Sequence, residues 1–411
     1  MREALAAVRA DRIARRVALL AEIGRTPSGG VTRLGLSTEE ERARELVASW
    51  LGARGALIRR DEAANLIARV GGEGAPIVVA SHLDSVPEGG RYDGALGVVC
   101  AVELVDALAA AGVNASPLEV VAWTDEEGAR FGVGLFGSAA GYGRLPAGVE
   151  ARTDRDGVTV GDALRALGFR GDPLVARRGA DRACFELHIE QGPHLERAGA
   201  PLGVVREIVG ITHARVTVAG GADHAGATAM ADRHDALAAA SELVLVLEAA
   251  ARARAPAVAT VGEIAVQPGA KNVVPGTCVF SVDVRSPGDE VRRTILADLE
   301  VARRRVEAGR GVRTSFDLLN EVPAQPLDAG LRAALGAACR DLGVDAPEMT
   351  SGAGHDAQNA QAAGVPAGML FIRSRGGSHN PKEDASPEDA ALAVKALLLA
   401  IERLSVMGQA R

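Results

Sequence analysis

The chain has 411 residues, 47% hydrophobic and 24% charged, and its 46 Lys and Arg against 53 Asp and Glu leave a net charge of −7. That length is more than one hydrophobic core normally serves, so two domains are expected. The acidic balance, with no long block of one sign, disfavours nucleic acid and anionic membranes as partners, and no run of about 18 uncharged apolar residues offers a membrane span.

Residues 1–24 carry Arg2, Arg9, Arg12, Arg15 and Arg16 among apolar positions, which predicts an amphipathic helix and not a signal peptide. Ser37 is placed to cap a second helix running to Leu51, with Glu40 as its capping-box partner. Short strands are expected near 56–59, 64–70 and 76–81, then a helix from Gly94 to Val113 and a strand from Leu118 to Trp123. This alternation predicts an α/β domain with a largely parallel sheet covered by helices, and ligands of such sheets gather beyond the strand C-termini. Cys100, Cys184, Cys278 and Cys339 are scattered, without a Cys-x-x-Cys pair, and read as reduced, mostly buried thiols of a cytoplasmic protein.

Three strand ends carry chemistry. His82 emerges after the first, and Asp84 is placed to accept a proton from one of its ring nitrogens, leaving the other for a metal. The Gly-rich loop that follows ends at Asp93. An Asp there can cap the next helix, but a loop bearing His, Asp and Glu suits a cation better than a plain turn. Beyond the 118–123 strand stand Asp125, Glu126 and Glu127, where one carboxylate could ligate a metal while its neighbour accepts a proton from water. In the third, alternation puts Glu186, His188 and Glu190 on one face and Phe185, Leu187 and Ile189 on the other.

From Ile211 the pattern changes to alternating residues, a Gly-rich turn containing His224, and a helix near 234–250. Strands near 258–267 and 277–285, a helix from Asp289 and a strand near 312–319 complete a β-α-β-β-α-β order, the split pattern of a ferredoxin-like domain. Taken as an insertion over 210–324, it leaves a discontinuous large domain of 1–209 and 325–411. Alternation along 278–285 sets Ser281, Asp283 and Arg285 opposite Cys278, Phe280, Val282 and Val284.

Several short motifs, in order, carry a resemblance. They are Ser-His-Leu-Asp-Ser-Val (81–86), Gly-Gly-Arg-Tyr-Asp-Gly (89–94), Thr-Asp-Glu-Glu-Gly (124–128), Glu-Leu-His-Ile-Glu-Gln-Gly-Pro (186–193), His-Ala-Gly (224–226), Asn-Val-Val-Pro-Gly (272–276), Gly-Ala-Gly-His-Asp-Ala (352–357) and Ser-His-Asn-Pro (378–381). Together the chain resembles the amidohydrolase branch of the M20 metallopeptidase-like family: N-carbamoyl-L-amino acid hydrolases, β-ureidopropionases and allantoate amidohydrolases. The resemblance implies a dinuclear catalytic domain holding two divalent ions (Zn2+, Mn2+, Co2+ or Ni2+), with Asp93 bridging them. His82 and His188 would complete one site, Glu127 and His379 the other. Asp84 would orient His82, and Glu126 would be the general base.

The same resemblance implies that the inserted unit is a lid and dimerisation domain, so that His224 acts as an oxyanion donor in the partner subunit of a homodimer. Asn272 and Arg285 would hold the substrate carboxylate, with Gln191 and His355 as further substrate contacts. The implied reaction converts an N-carbamoyl-L-amino acid to the L-amino acid, ammonia and CO2. Allantoate amidohydrolase is the nearest alternative, and an aminoacylase or dipeptidase a more distant one. The sequence departs from the family at Ala227 and Ala229, where Thr and Pro are usual, which puts the rigidity of the His224 turn in question.

Overall fold

A computed structural model describes residues 1–113 and 117–409. The chain divides into two compact units, Met1–Arg206 with the segment from Leu327 onward, and Glu207–Pro326.

The first unit begins with α1 (Arg2–Ala7) and α2 (Ala10–Ala21), two helices where one is expected. The break falls at Val8 and Arg9, which are extended, and there the Arg9 amide donates to the buried carboxylate of Glu103 at 2.7 Å. α3 (Thr38–Gly52) is capped by Ser37, whose hydroxyl accepts the Glu40 amide at 3.1 Å. The other half of the expected capping box does not form: the Glu40 carboxylate accepts the amides of Leu36 (2.6 Å) and Asp125 (3.2 Å) instead. Then come β1 (Leu57–Arg60), β2 (Leu66–Val70), β3 (Ile77–His82), α4 (Ala95–Ala110), β4 (Leu118–Trp123), α5 (Phe136–Gly141), α6 (Val160–Ala166), β5 (Ala183–Ile189), α7 (His194–Ala198) and β6 (Leu202–Ile208).

The second unit holds β7 (Gly210–Ala219), β8 (Asp223–His224), α8 (Ala236–Arg252), β9 (Val258–Thr260), β10 (Ile264–Gln267), β11 (Val273–Val274), β12 (Thr277–Ser286), α9 (Asp289–Arg310), β13 (Arg313–Val322) and β14 (Gln325–Pro326). Its main sheet is antiparallel in the order β10-β12-β7-β13, with β9 also against β12. The run expected as one strand at 258–267 is split, because the Ser281 hydroxyl draws the amides of Gly262 (3.1 Å) and Glu263 (3.0 Å) out of the ladder. β12 buries Cys278, Phe280, Val282 and Val284 against Leu243 and Leu247 of α8 and Ile295 and Leu299 of α9.

Back in the first unit, the chain adds α10 (Ala329–Asp341), β15 (Glu348–Ser351), α11 (Ala357–Ala362), β16 (Ala367–Ile372), the short β17 (Ser374–Arg375) and β18 (Asp384–Ala385) pair, and α12 (Pro387–Gln409). Its sheet runs β1-β2-β4-β3-β5-β16-β6. The central four strands are parallel and the flanking ones antiparallel. Every residue of β3, β4, β5 and β16 is buried, as a sheet covered on both faces requires. α4 is buried from Ala95 through Leu108, including Glu103 and Asp106. Those two acids are met by Arg12 (2.6 Å to Glu103) and Arg16 (2.6 Å to Asp106), which fasten α2 to α4.

All four cysteines are buried and free. Among the described residues no helix is long and apolar enough to cross a membrane.

Candidate metal centre

β3 and β5 are parallel neighbours, so their C-terminal ends deliver His82 and His188 to the same place. The Nδ1 atom of each ring faces a carbonyl: Asp84 O at 3.2 Å from His82, Ile189 O at 2.9 Å from His188. With the ring proton on Nδ1, both Nε2 lone pairs are left pointing inward, and these two atoms lie 3.4 Å apart. Asp93 Oδ1 is 3.1 Å from His188 Nε2 and 3.9 Å from His82 Nε2. Its other oxygen is 3.4 Å from His379 Nε2, which is in turn 3.3 Å from Glu127.

Two donor groups therefore share one carboxylate: His82, Asp93 and His188, and Asp93, Glu127 and His379. Ligands about 2.1 Å from a tetrahedral ion stand about 3.4 Å from one another, close to these separations. Asp93 Oδ1 and Glu127 Oε1 are buried without a hydrogen-bond partner, and the donors are imidazole and carboxylate without thiolate. That set fits a divalent cation. The acids leave the centre short of positive charge. Asp93 and Glu127 push His379 up to about 10. His82 is held above its ordinary range by Glu126, Asp84 and Asp93 despite burial, and Asp93 well below its own by His188 and His379.

The helix-cap role weighed for Asp93 is not realised. The N-cap of α4 is Gly94, with no side-chain cap, and Asp93 turns toward the histidines. Gly94 has φ +60, and a Cβ there would collide with the His82 ring, so only glycine lets the loop pass so close.

The 124–127 segment hangs from four buried acceptors. The amide of Thr124 donates to Asn65 (3.0 Å), Asp125 to Glu40 (3.2 Å), and Glu126 and Glu127 to the two oxygens of Asp84 (3.0 Å each). Asp84 thus does more than orient His82, whose Nδ1 is 3.4 Å from its carboxylate. Asp125 is left-handed at φ +50, a strained conformation for a non-glycine residue that turns the two glutamates apart. Glu126 reaches to 3.9 Å from His82, and burial, aided by Asp356 and Glu127, pushes its carboxyl well above the usual range. Gln191 and His379 are also left-handed, at φ +63 and +59.

Gln191 donates to Asp93 Oδ2 at 2.9 Å. His355 packs edge-on to His188, ring centres 4.5 Å apart, and meets the Ser351 hydroxyl at 2.9 Å; burial, with His188 beside it, holds its pKa well down. Glu190, on the metal-facing side in the sequence pattern, instead accepts the amides of His194 and Leu195 at 2.7 Å each.

In the 207–326 unit, His224 stands opposite Val273, and the Ala225 amide donates to Asn272 O at 2.9 Å. His224 Nδ1 accepts the amides of Gly226 and Ala227, both at 3.1 Å, so the turn is held by backbone groups that Ala227 supplies as well as Thr. Arg285 grips Asp283 through Nε (3.0 Å) and Nη2 (2.9 Å), and Asp283 also faces His213 at 3.5 Å.

Two functional neighbours escape the sequence reading. Ser378 donates to Asp93 Oδ2 (2.8 Å), and Glu383 accepts the amides of Tyr92 (2.9 Å) and Asp93 (3.0 Å). Ser378 lay within a motif, whereas nothing local marks Glu383.

The sequence profile of peptidase family M20/M25/M40 matches residues 78–403. The chain belongs to that family. An N-carbamoyl-L-amino acid amidohydrolase of Geobacillus stearothermophilus is 40% identical, with 97% of this chain and 99% of the relative covered. An allantoate deiminase of Arabidopsis thaliana is 34% identical, over 94% of this chain and 81% of its own length. The crystal structure of an amidase of the hydantoinase/carbamoylase family from Burkholderia multivorans superposes with a TM-score of 0.89 at 36% identity, covering 96% of this chain and 97% of that one. Within the M20 family, the chain stands in the amidohydrolase branch and binds divalent metal.

Proposed function

We propose that the chain hydrolyses the ureido C–N bond of N-carbamoyl-L-amino acids, giving the L-amino acid, ammonia and CO2. The observation that carries this reading is Asp93 shared between two nitrogen- and oxygen-donor groups, with Glu126 free of both and beside His82. A ureido carbonyl is a weak electrophile because both nitrogens donate into it. Two divalent ions held by His82, Asp93, His188, Glu127 and His379 would supply a Lewis acid and a water of lowered pKa. Glu126 takes the proton from that water and passes it to the departing nitrogen, a role open to a carboxylate that stands beside His82 and belongs to neither donor group.

His224 is the donor to the developing oxyanion. Its Nδ1 is occupied as an acceptor, so its proton is on Nε2, available outward. Arg285, with Asn272, reads the α-carboxylate, and a guanidinium fixed by Asp283 is already oriented for it. Gln191 and His355 complete the substrate contacts. A homodimer through residues 210–324 and a cytoplasmic location complete the reading, the latter supported by four free, buried thiols.

Allantoate is the second substrate to weigh, because relatives at 34% identity are allantoate deiminases. Ammonia release from N-carbamoyl amino acids, allantoate and acyl amino acids by the metal-reconstituted protein tests the proposal. The N-carbamoyl L-acids are expected to turn over fastest. Turnover of acyl amino acids alone would refute it.

A further inference from the structure

Glu383 is 3% exposed and lies where two loops meet. Its Oε1 accepts the amides of Tyr92 and Asp93, and its Oε2 is 2.6 Å from the Ser378 hydroxyl, which also reaches Asp93 Oδ2 at 2.8 Å. A Cβ on Gly90 would collide with the Glu383 carboxylate, so the 89–93 loop is closed tightly around it. His379 belongs to the other loop, between β17 and β18. The ties of Asn380 to Gly376 O and Ser378 O (3.1 Å each) stay within that loop, whereas Glu383 and Ser378 reach across to Asp93.

We propose that Glu383 is a positioning residue: it locks the Asp93 loop to the His379 loop and so fixes the one carboxylate that both donor groups share. Two backbone amides set where the Asp93 main chain lies, and Ser378, together with Gln191, sets how its carboxylate is turned. Without these three contacts Gln191 would still donate to the Asp93 carboxylate, but the rest of the ordering of Asp93 would be subtracted from metal affinity. The role depends on hydrogen bonds and not on charge. A glutamine could accept both amides through its carbonyl and donate to Ser378 through its NH2, leaving Ser378 to donate to Asp93.

The inference rests on the metal-binding reading of this site and not on the choice of substrate. Its test is Zn2+ alone, titrated into metal-stripped full-length protein in competition with a chromophoric chelator, with far-UV circular dichroism to check the fold. Glu383→Ala is expected to weaken Zn2+ binding by about 10–100-fold and Glu383→Gln by no more than about threefold. Wild-type affinity in Glu383→Ala, or equal losses in the Ala and Gln variants, overturns the proposal. Should Glu383→Ala fail to fold, Ser378→Ala breaks only the bridge and is expected to weaken Zn2+ severalfold; an unchanged affinity there overturns it too. A chain that binds Zn2+ as expected but releases no ammonia from any ureido acid would sink the proposed function and leave this inference standing.

Discussion

In the 207–326 unit, β12 turns Cys278, Phe280, Val282 and Val284 into an apolar core and keeps Asp283 and Arg285 on the other face, paired with each other. In the larger unit, the ends of β3 and β5 turn His82 and His188 inward, onto Asp84, Asp93 and Glu126. Both units bury large side chains, but among the described residues only the larger unit buries carboxylate oxygens without a hydrogen-bond partner, and of these acids Asp93 and Glu127 lie beside imidazole nitrogens. Such groups oppose folding unless a partner arrives, so their presence marks where a cation is expected.

That contrast can be broken most sharply at Glu126. Glu126→Gln removes the proton carrier and no ligand, so kcat should fall about 10²–10⁴-fold while metal content and KM hold. Loss of metal in this variant, with Glu127→Gln keeping it, would mean the two roles are exchanged. In the other unit, Phe280→Ala should cost about 3–5 kcal/mol of stability by opening a cavity, with metal content per folded chain unchanged. A cost below about 1 kcal/mol by chemical denaturation would show that this core is not the unit's main support.

Arg285→Ala should raise KM about 10–100-fold and change kcat less, as expected of a contact made equally in ground and transition states. Equal losses in kcat and kcat/KM would argue against a carboxylate clamp. The smallest effect concerns Asp283, which burial would raise but His213 and Arg285 hold down at about 2. Its unfolded pKa is about 3.9, so this ion pair's stabilisation is fully present above that value and is lost as pH falls through about 2. The Tm difference between wild type and Asp283→Asn should therefore narrow as pH falls from about 5 to about 3. A difference that widens in acid would reverse the sign.

The β-branched runs of β3 and β4 and the alternation of β12 made the sheets legible, because strand periodicity is written locally. His82 and His188 were legible for the same reason, standing at the ends of such runs. Other features depend on contacts far along the chain. Glu40 looks like a capping-box residue but is drawn to the Asp125 amide, 85 residues away. The N-terminal helix breaks because Glu103 captures the Arg9 amide. Asp84 suspends the 126–127 amides as well as facing His82, and Glu383 reaches Asp93 across 290 residues. No periodicity encodes contacts of that kind, and His379 entered only through the resemblance.

The central claim is that Asp93 joins two ion sites into one centre. Elemental analysis after equilibration with Zn2+ and removal of excess tests it most directly, on wild type, His188→Ala and Asp93→Ala. The account predicts about two ions per wild-type chain, about one in His188→Ala, which loses a ligand of one site, and close to none in Asp93→Ala. Full metal content in Asp93→Ala would contradict it.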